Sequence, residues 1–112
     1  MNLLWAVTVL VGGLMTFSTA GLAIEKKVPK RVVSMNLCTD QLAMLLAEPG
    51  QLYSVSYLAG RADASVLAAR AADFVTNHGL AEEIFLMKPD LIIAGTFTTR
   101  ATVNLLKRLK FH

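Results

Sequence analysis

From Val28 onward, short β-branched runs alternate with longer stretches whose apolar positions recur at helical spacing. Arg31–Met35 (RVVSM) predicts a buried strand. Thr39–Glu48 predicts a helix with Leu42, Leu45 and Leu46 as its apolar positions, stopped by Pro49-Gly50. Leu52–Tyr57 (LYSVSY) alternates as a strand does, and the Ala-rich Ser65–Asp73 predicts a helix with Val66, Ala69 and Ala72 on one side. Phe74–Thr76 is a third, very short strand. Ala81–Met87 predicts a helix with Glu82 and Glu83 in its first turn, where acids complement the positive end of the helix dipole. Pro89 ends that helix, Leu91–Ala94 (LIIA) is a strand, and Thr98–Lys110 closes as a helix, apolar at Val103, Leu105, Leu106 and Leu109.

Strand and helix in strict alternation imply crossover units, hence an α/β fold with a parallel sheet and crossover helices on both faces. In such sheets ligands bind beyond the carboxyl ends of the strands. That rule selects the loops Asn36–Cys38, Tyr57–Arg61, Asn77–Gly79 and Gly95–Thr99.

Ahead of this pattern the chain changes character. Leu3–Phe17 is almost wholly apolar, and Ser18, Thr19, Ala20, Gly21 and Ala23 follow as small residues. The first charged residue is Glu25. A short apolar core followed by small side chains is the layout of a secretory signal peptide, expected over 1–23, although no Lys or Arg precedes the apolar run. Cleavage after Ala23 or after Ala20 would each leave a small residue three positions upstream, Gly21 or Ser18. The alternative is a retained membrane anchor, because the segment could just span a bilayer. No Cys stands near residue 20, so the lipid-bearing Cys of a lipoprotein is not expected, and the mature protein, 24–112, is expected in the periplasm.

The 112 residues carry a net charge of +3, without a Lys/Arg run long enough to follow phosphates, which argues against a nucleic-acid partner. One Cys excludes a disulfide framework and a Cys-based zinc site. Cys38 follows the first strand near a helix amino terminus, and His78 lies on a neighbouring strand-end loop, so a Cys/His enzyme is conceivable on paper. No carboxylate or amide is obviously placed to orient that imidazole, and an isolated Cys is more often a small apolar residue. Neither HxH nor HxxxH occurs, so no metal site is expected, and no Gly-rich phosphate loop is present. Thr98 or Thr99 suits an N-cap, with Arg100 beside them as a contact for an anionic ligand. Tyr57 and Phe97 are aromatics at strand ends, equally suited to a core edge and to a cleft.

Three segments together have a family character: RVVSMNLCTDQL after a basic, Pro-containing linker, AEEIFLMKPDLIIAG, and TTRATVNLLKRL. They resemble the amino-terminal lobe of the periplasmic substrate-binding proteins of ABC importers for iron–siderophore complexes, haem and cobalamin, over about residues 30 to 109. The resemblance implies a lobe of a two-lobed binding protein that performs no catalysis. It would capture an iron chelate (siderophore or haem), or alternatively cobalamin, and deliver it to an inner-membrane ABC permease, as a monomer without cofactor. Loop position carries over Asn36, Tyr57, Asn77, His78, Phe97 and Arg100 as ligand contacts. Glu82 falls at the position of the acid that pairs with permease arginines, with Glu83 as the alternative one register on. Cys38 is not a residue that the family generally requires. The family also carries a connecting helix and a second lobe beyond the point reached at Lys110-Phe111-His112, where Lys110 stands in place of the usual helix-closing Gly. The expectation is therefore a truncated chain with an open half-cleft and marginal stability.

Overall fold

A computed structural model describes residues 27–112, and the export segment expected over 1–23 lies outside the described residues. The elements run β1 (Val32–Ser34), α1 (Leu37–Leu46), β2 (Leu52–Ser56), a 3-10 turn (Tyr57–Gly60), α2 (Ala68–Ala71), β3 (Val75–Asn77), α3 (Ala81–Met87), β4 (Leu91–Ile93) and α4 (Arg100–Arg108). The strands form one parallel sheet in the order β3-β2-β1-β4. This is the α/β class with crossover helices that the alternating pattern implies.

The strand order explains how both faces are covered. The chain winds outward through β1, β2 and β3, then returns to the far side of β1 to lay down β4. A right-handed crossover that reverses direction must place its helix on the opposite face. Two core clusters result. One packs Ala43 and Met44 of α1 and Ala71 of α2 on Val32, Leu52 and Val55. The other packs Ala81 and Ile84 of α3 and Leu106 of α4 on Val33 and Met35. Being buried on both faces, β1 and β2 do not read as apolar-in and polar-out. Ser54 and Ser56, which the alternation of LYSVSY would turn to solvent, are buried.

The helical face assignments need correction. The apolar positions Leu42, Leu45 and Leu46 of α1 do not face the core: they are 57%, 61% and 78% exposed. The buried residues of α1 are Asp40, Ala43 and Met44. Asp40 decides the rotation, because its carboxylate bonds the end of β2 and small Ala43 then lets the helix approach the sheet. Similarly, Val66, Ala69 and Ala72 are exposed, and α2 is a single turn that buries Ala71. Of the residues predicted as apolar positions of α4, Leu106 is buried, whereas Leu105 and Leu109 are exposed.

On the α1 face, β4 is only partly covered. Leu91 and Ile93 are half-buried and share a groove with Pro29, Leu42 and Leu46. The strand is tied at its start by Asp90, whose carboxylate accepts from the backbone N–H groups of Lys30 and Arg31. Arg31 in turn donates to the Met87 carbonyl and lies over the Tyr53 ring at 3.5 Å. Lys88 and Lys110 take left-handed backbone, φ 50° and 63°, just past α3 and α4. Lys110 therefore holds the conformation that glycine favours at a helix end.

Candidate functional site

The carboxyl ends of all strands lie along one rim, so the loops selected by the ligand-binding rule are neighbours in the order Asn77–Gly79, Tyr57–Arg61, Asn36–Cys38, Gly95–Thr99. The winding direction reverses between β1 and β4. The Asn36 and Gly95 loops stand at that reversal, the usual ligand position in an open α/β sheet.

Asn36 is the N-cap of α1, with its Oδ1 accepting from the Cys38 N–H at 2.9 Å. Its side chain rests against Gly95, where an added Cβ would lie 3.1 Å from the Asn36 Cγ. A side chain at residue 95 would press on Asn36, because the two loops close on one another. The Gly95 N–H donates to Thr98 Oγ1 at 3.0 Å, and the Thr98 N–H returns a bond to the Gly95 carbonyl. Thr98 thus closes the turn after β4. Thr99 stands at the N-cap of α4 without a side-chain cap bond, so the capping role expected for this pair is not made. Phe97, 91% exposed, and Arg100, also exposed, project from the same segment.

A second pairing occurs further along the rim. The Tyr57 and His78 rings stack with centroids 5.5 Å apart and planes 19° from parallel. Both remain substantially exposed. His78 Nδ1 lies 2.9 Å from Glu83 Oε1, and the His78 N–H donates to Glu83 Oε2 at 2.8 Å. A carboxylate does orient this imidazole, contrary to the sequence expectation. The signal was available, because a first-turn acid of α3 can reach back to the strand-end loop as in a capping box. Cys38 is exposed on α1, and among the described residues His78 is bonded to Glu83, not to Cys38.

Asn77 does not line the rim. It ends β3 fully buried, with Nδ2 donating to the Ser34 carbonyl and to Ser54 Oγ, both at 2.8 Å. Its Oδ1 accepts from the Gly79 N–H at 3.1 Å. Every polar group of the amide is engaged, so Asn77 braces the strand ends. The two first-turn acids of α3 also divide. Glu83 is held by the His78 loop, whereas Glu82 is exposed and bonds none of the described residues.

Partial burial pushes the Glu83 carboxyl up, but the bonds from the His78 ring and from the backbone N–H groups of His78 and Leu80 outweigh it, leaving the group below its ordinary value. Its stabilising contribution is therefore complete above an unfolded value near 4.5 and is lost as pH falls through the lower folded value. In chemical denaturation at a series of pH values, Glu83→Gln is expected to lower stability at neutral pH, with the deficit shrinking across that acidic window. A deficit constant through the window would show that Glu83 is not the group responsible.

A cleft of about 500 Å3 lies on the α4 face, lined by Met35, Ile92, Gly95, Val103, Lys107 and Phe111 among others. Of the loop residues selected from the sequence, it reaches Gly95 alone; Asn36, Tyr57 and His78 do not line it. Among the described residues no group of three His, Cys, Asp or Glu side chains could hold a metal ion. Compared with known proteins, the chain matches no family model, no curated protein and no solved structure.

Proposed function

We propose that this chain is a solute-binding lobe of an exported binding protein, which captures an iron chelate at the carboxyl rim of its sheet and delivers it to an inner-membrane ABC permease. The observation that carries the reading is the rim itself. The Asn36–Gly95 contact marks the winding reversal, and the exposed Tyr57–His78 stack lies on the same edge. Asn36, Tyr57, His78, Phe97 and Arg100 are the ligand contacts in this reading. Flat aromatic faces and a guanidinium suit a large, partly unsaturated, anionic chelate better than a small polar solute. Cobalamin is the alternative cargo of the same rim.

Thermal melting of the full chain, followed by circular dichroism, tests this against ferric siderophores, haem and cobalamin. A ligand present at a hundredfold its Kd adds about 2.7 kcal/mol to stability, which raises the midpoint measurably. A shift with one ligand class supports the reading and names the cargo. No shift with any of them overturns it.

Glu82 is the delivery charge in this reading, because it is solvent-facing at the start of α3 while Glu83 is engaged. Glu82→Ala is expected to leave chelate affinity unchanged and to reduce uptake in a permease-containing vesicle assay, since a rim charge acts mainly on the rate of encounter. Unimpaired uptake would remove the docking role.

A further inference from the structure

The residues around Glu82 extend the docking reading beyond a single charge. Ala81, Phe85 and Leu86 of α3 face Leu105 and Leu109 across a groove of about 280 Å3, and Glu82 stands at its head. The groove is apolar along its length. Phe85 is 51% exposed, Leu86 75%, Leu105 37% and Leu109 46%. Core packing does not account for them. The second core cluster is closed by Ile84 and Leu106 on the inner sides of the same helices, with Ala81 bordering both core and groove. Phe85 is fixed in place by an edge-to-face contact with Phe111, at 6.0 Å between centroids, so the groove wall is built.

We propose that this groove docks an apolar helical segment of a protein partner that carries a lysine or arginine at the end lying over Glu82. The charge pattern selects this occupant. No cation lines the groove, and Glu82 has no ion-pair partner among the described residues. The adjacent Glu83 cannot serve, because His78 and backbone N–H groups already hold its carboxylate. An apolar trough with an acid at one end complements a helix with an i, i+3, i+4, i+7 apolar stripe ending in a cation. The apolar stripe supplies most of the affinity, and the exposed ion pair supplies direction and discrimination. The proposal rests on the reading of Glu82 as the partner-facing charge, and it adds the class of segment that the partner must present.

The test uses the full chain and a labelled synthetic helix of about 15 residues, the length at which isolated helices become marginally stable. The probe has leucines on one stripe, glutamines elsewhere and a single terminal arginine. A twin probe carries glutamate in place of the arginine. Fluorescence anisotropy is expected to show binding of the arginine probe in preference to its twin. Glu82→Gln is expected to weaken it by up to about fivefold, the range of an exposed pair. Leu86→Asp is expected to weaken it roughly tenfold or more, as burial of one leucine is lost. Leu86 is the most exposed wall residue, so this variant should keep its fold, and circular dichroism confirms that it does. Glu82→Lys is expected to reverse the preference in favour of the glutamate probe.

Binding indifferent to the charge at residue 82, or to Leu86→Asp, overturns the proposal. So does concentration-dependent dimerisation in sedimentation that Leu86→Asp abolishes, because the occupant would then be a second copy. The cargo reading fails separately. A chain that binds the probe but whose melting no chelate shifts keeps the groove and loses the cargo; the converse result keeps the cargo and loses the groove.

Discussion

Asn77→Ala is expected to lower stability by about 3 kcal/mol, since it strands the buried Ser34 carbonyl and Ser54 Oγ and the partly buried Gly79 N–H at roughly 1 kcal/mol each. For a domain of this size that corresponds to a fall of roughly 12 to 24 °C in melting midpoint. The amide bridges three strands. From β3 it passes over Ser54 of β2 to the end of β1, so its loss weakens the tie between the three strands. Asn77→Asp keeps the shape but removes the donor and places a carboxylate against the Ser34 carbonyl, and is expected to cost at least as much. At a temperature where both proteins are folded, Asn77→Ala should bind any stabilising ligand nearly as well as the parent. A large loss of affinity with an unchanged melting midpoint would restore Asn77 to the list of ligand contacts and overturn the bracing role.

Asp40→Ala is the second large effect. The carboxylate is fully buried in α1 and accepts from the Ser56 N–H at 3.1 Å and from Ser56 Oγ at 2.5 Å. Hydrogen bonds to a charged acceptor are worth about 1.5–3 kcal/mol each, and removing the acceptor strands two buried donors, so a loss of about 3–4 kcal/mol is expected. Asp40→Asn retains an acceptor for the backbone N–H and should cost markedly less. Ser56→Ala removes only the hydroxyl, and in the double variant the two effects should fall well short of additive, because both act on one contact. Additive losses in urea denaturation would mean that Asp40 stabilises the domain by another route. The contact also sets the rotation of α1, so Asp40→Ala should change the exposure of Leu42, Leu45 and Leu46 as read by a hydrophobic dye.

Both residues illustrate where local pattern stops being informative. Asp40 sits in the first turn of a helix and Asn77 beside a Gly turn, and both positions ordinarily place such side chains in solvent. Their burial depends on groups 16 to 43 residues away in sequence. The serines that meet them read as the polar half of an alternating strand for the same reason. Once Ser54 and Ser56 have partners inside, alternation no longer separates core from surface. Among the described residues no buried side-chain polar atom is left without a partner, so this polar seam is complete.

The candidate site divides along the same line. That Asn36, Tyr57, His78 and Phe97 would stand at strand ends was legible from the positions of the strands alone. That Tyr57 would stack on His78, that Glu83 would bond the imidazole, and that Glu82 would thereby be the free acid were not. Glu82 and Glu83 are adjacent and chemically alike, and only the reach of one of them to a loop on another element separates their roles.

By itself the sequence determined the α/β class, the alternation of strands and helices and which loops stand at the strand ends, because each follows from periodicity and turn chemistry within about ten residues of chain. The tertiary structure alone decided which face of α1 points inward, that Asn77 is a brace, and that an apolar groove opens between α3 and α4. Each of those depends on which distant groups a side chain meets once the sheet has ordered its strands β3-β2-β1-β4, and a hydrogen bond between two elements is not encoded in the pattern of either one.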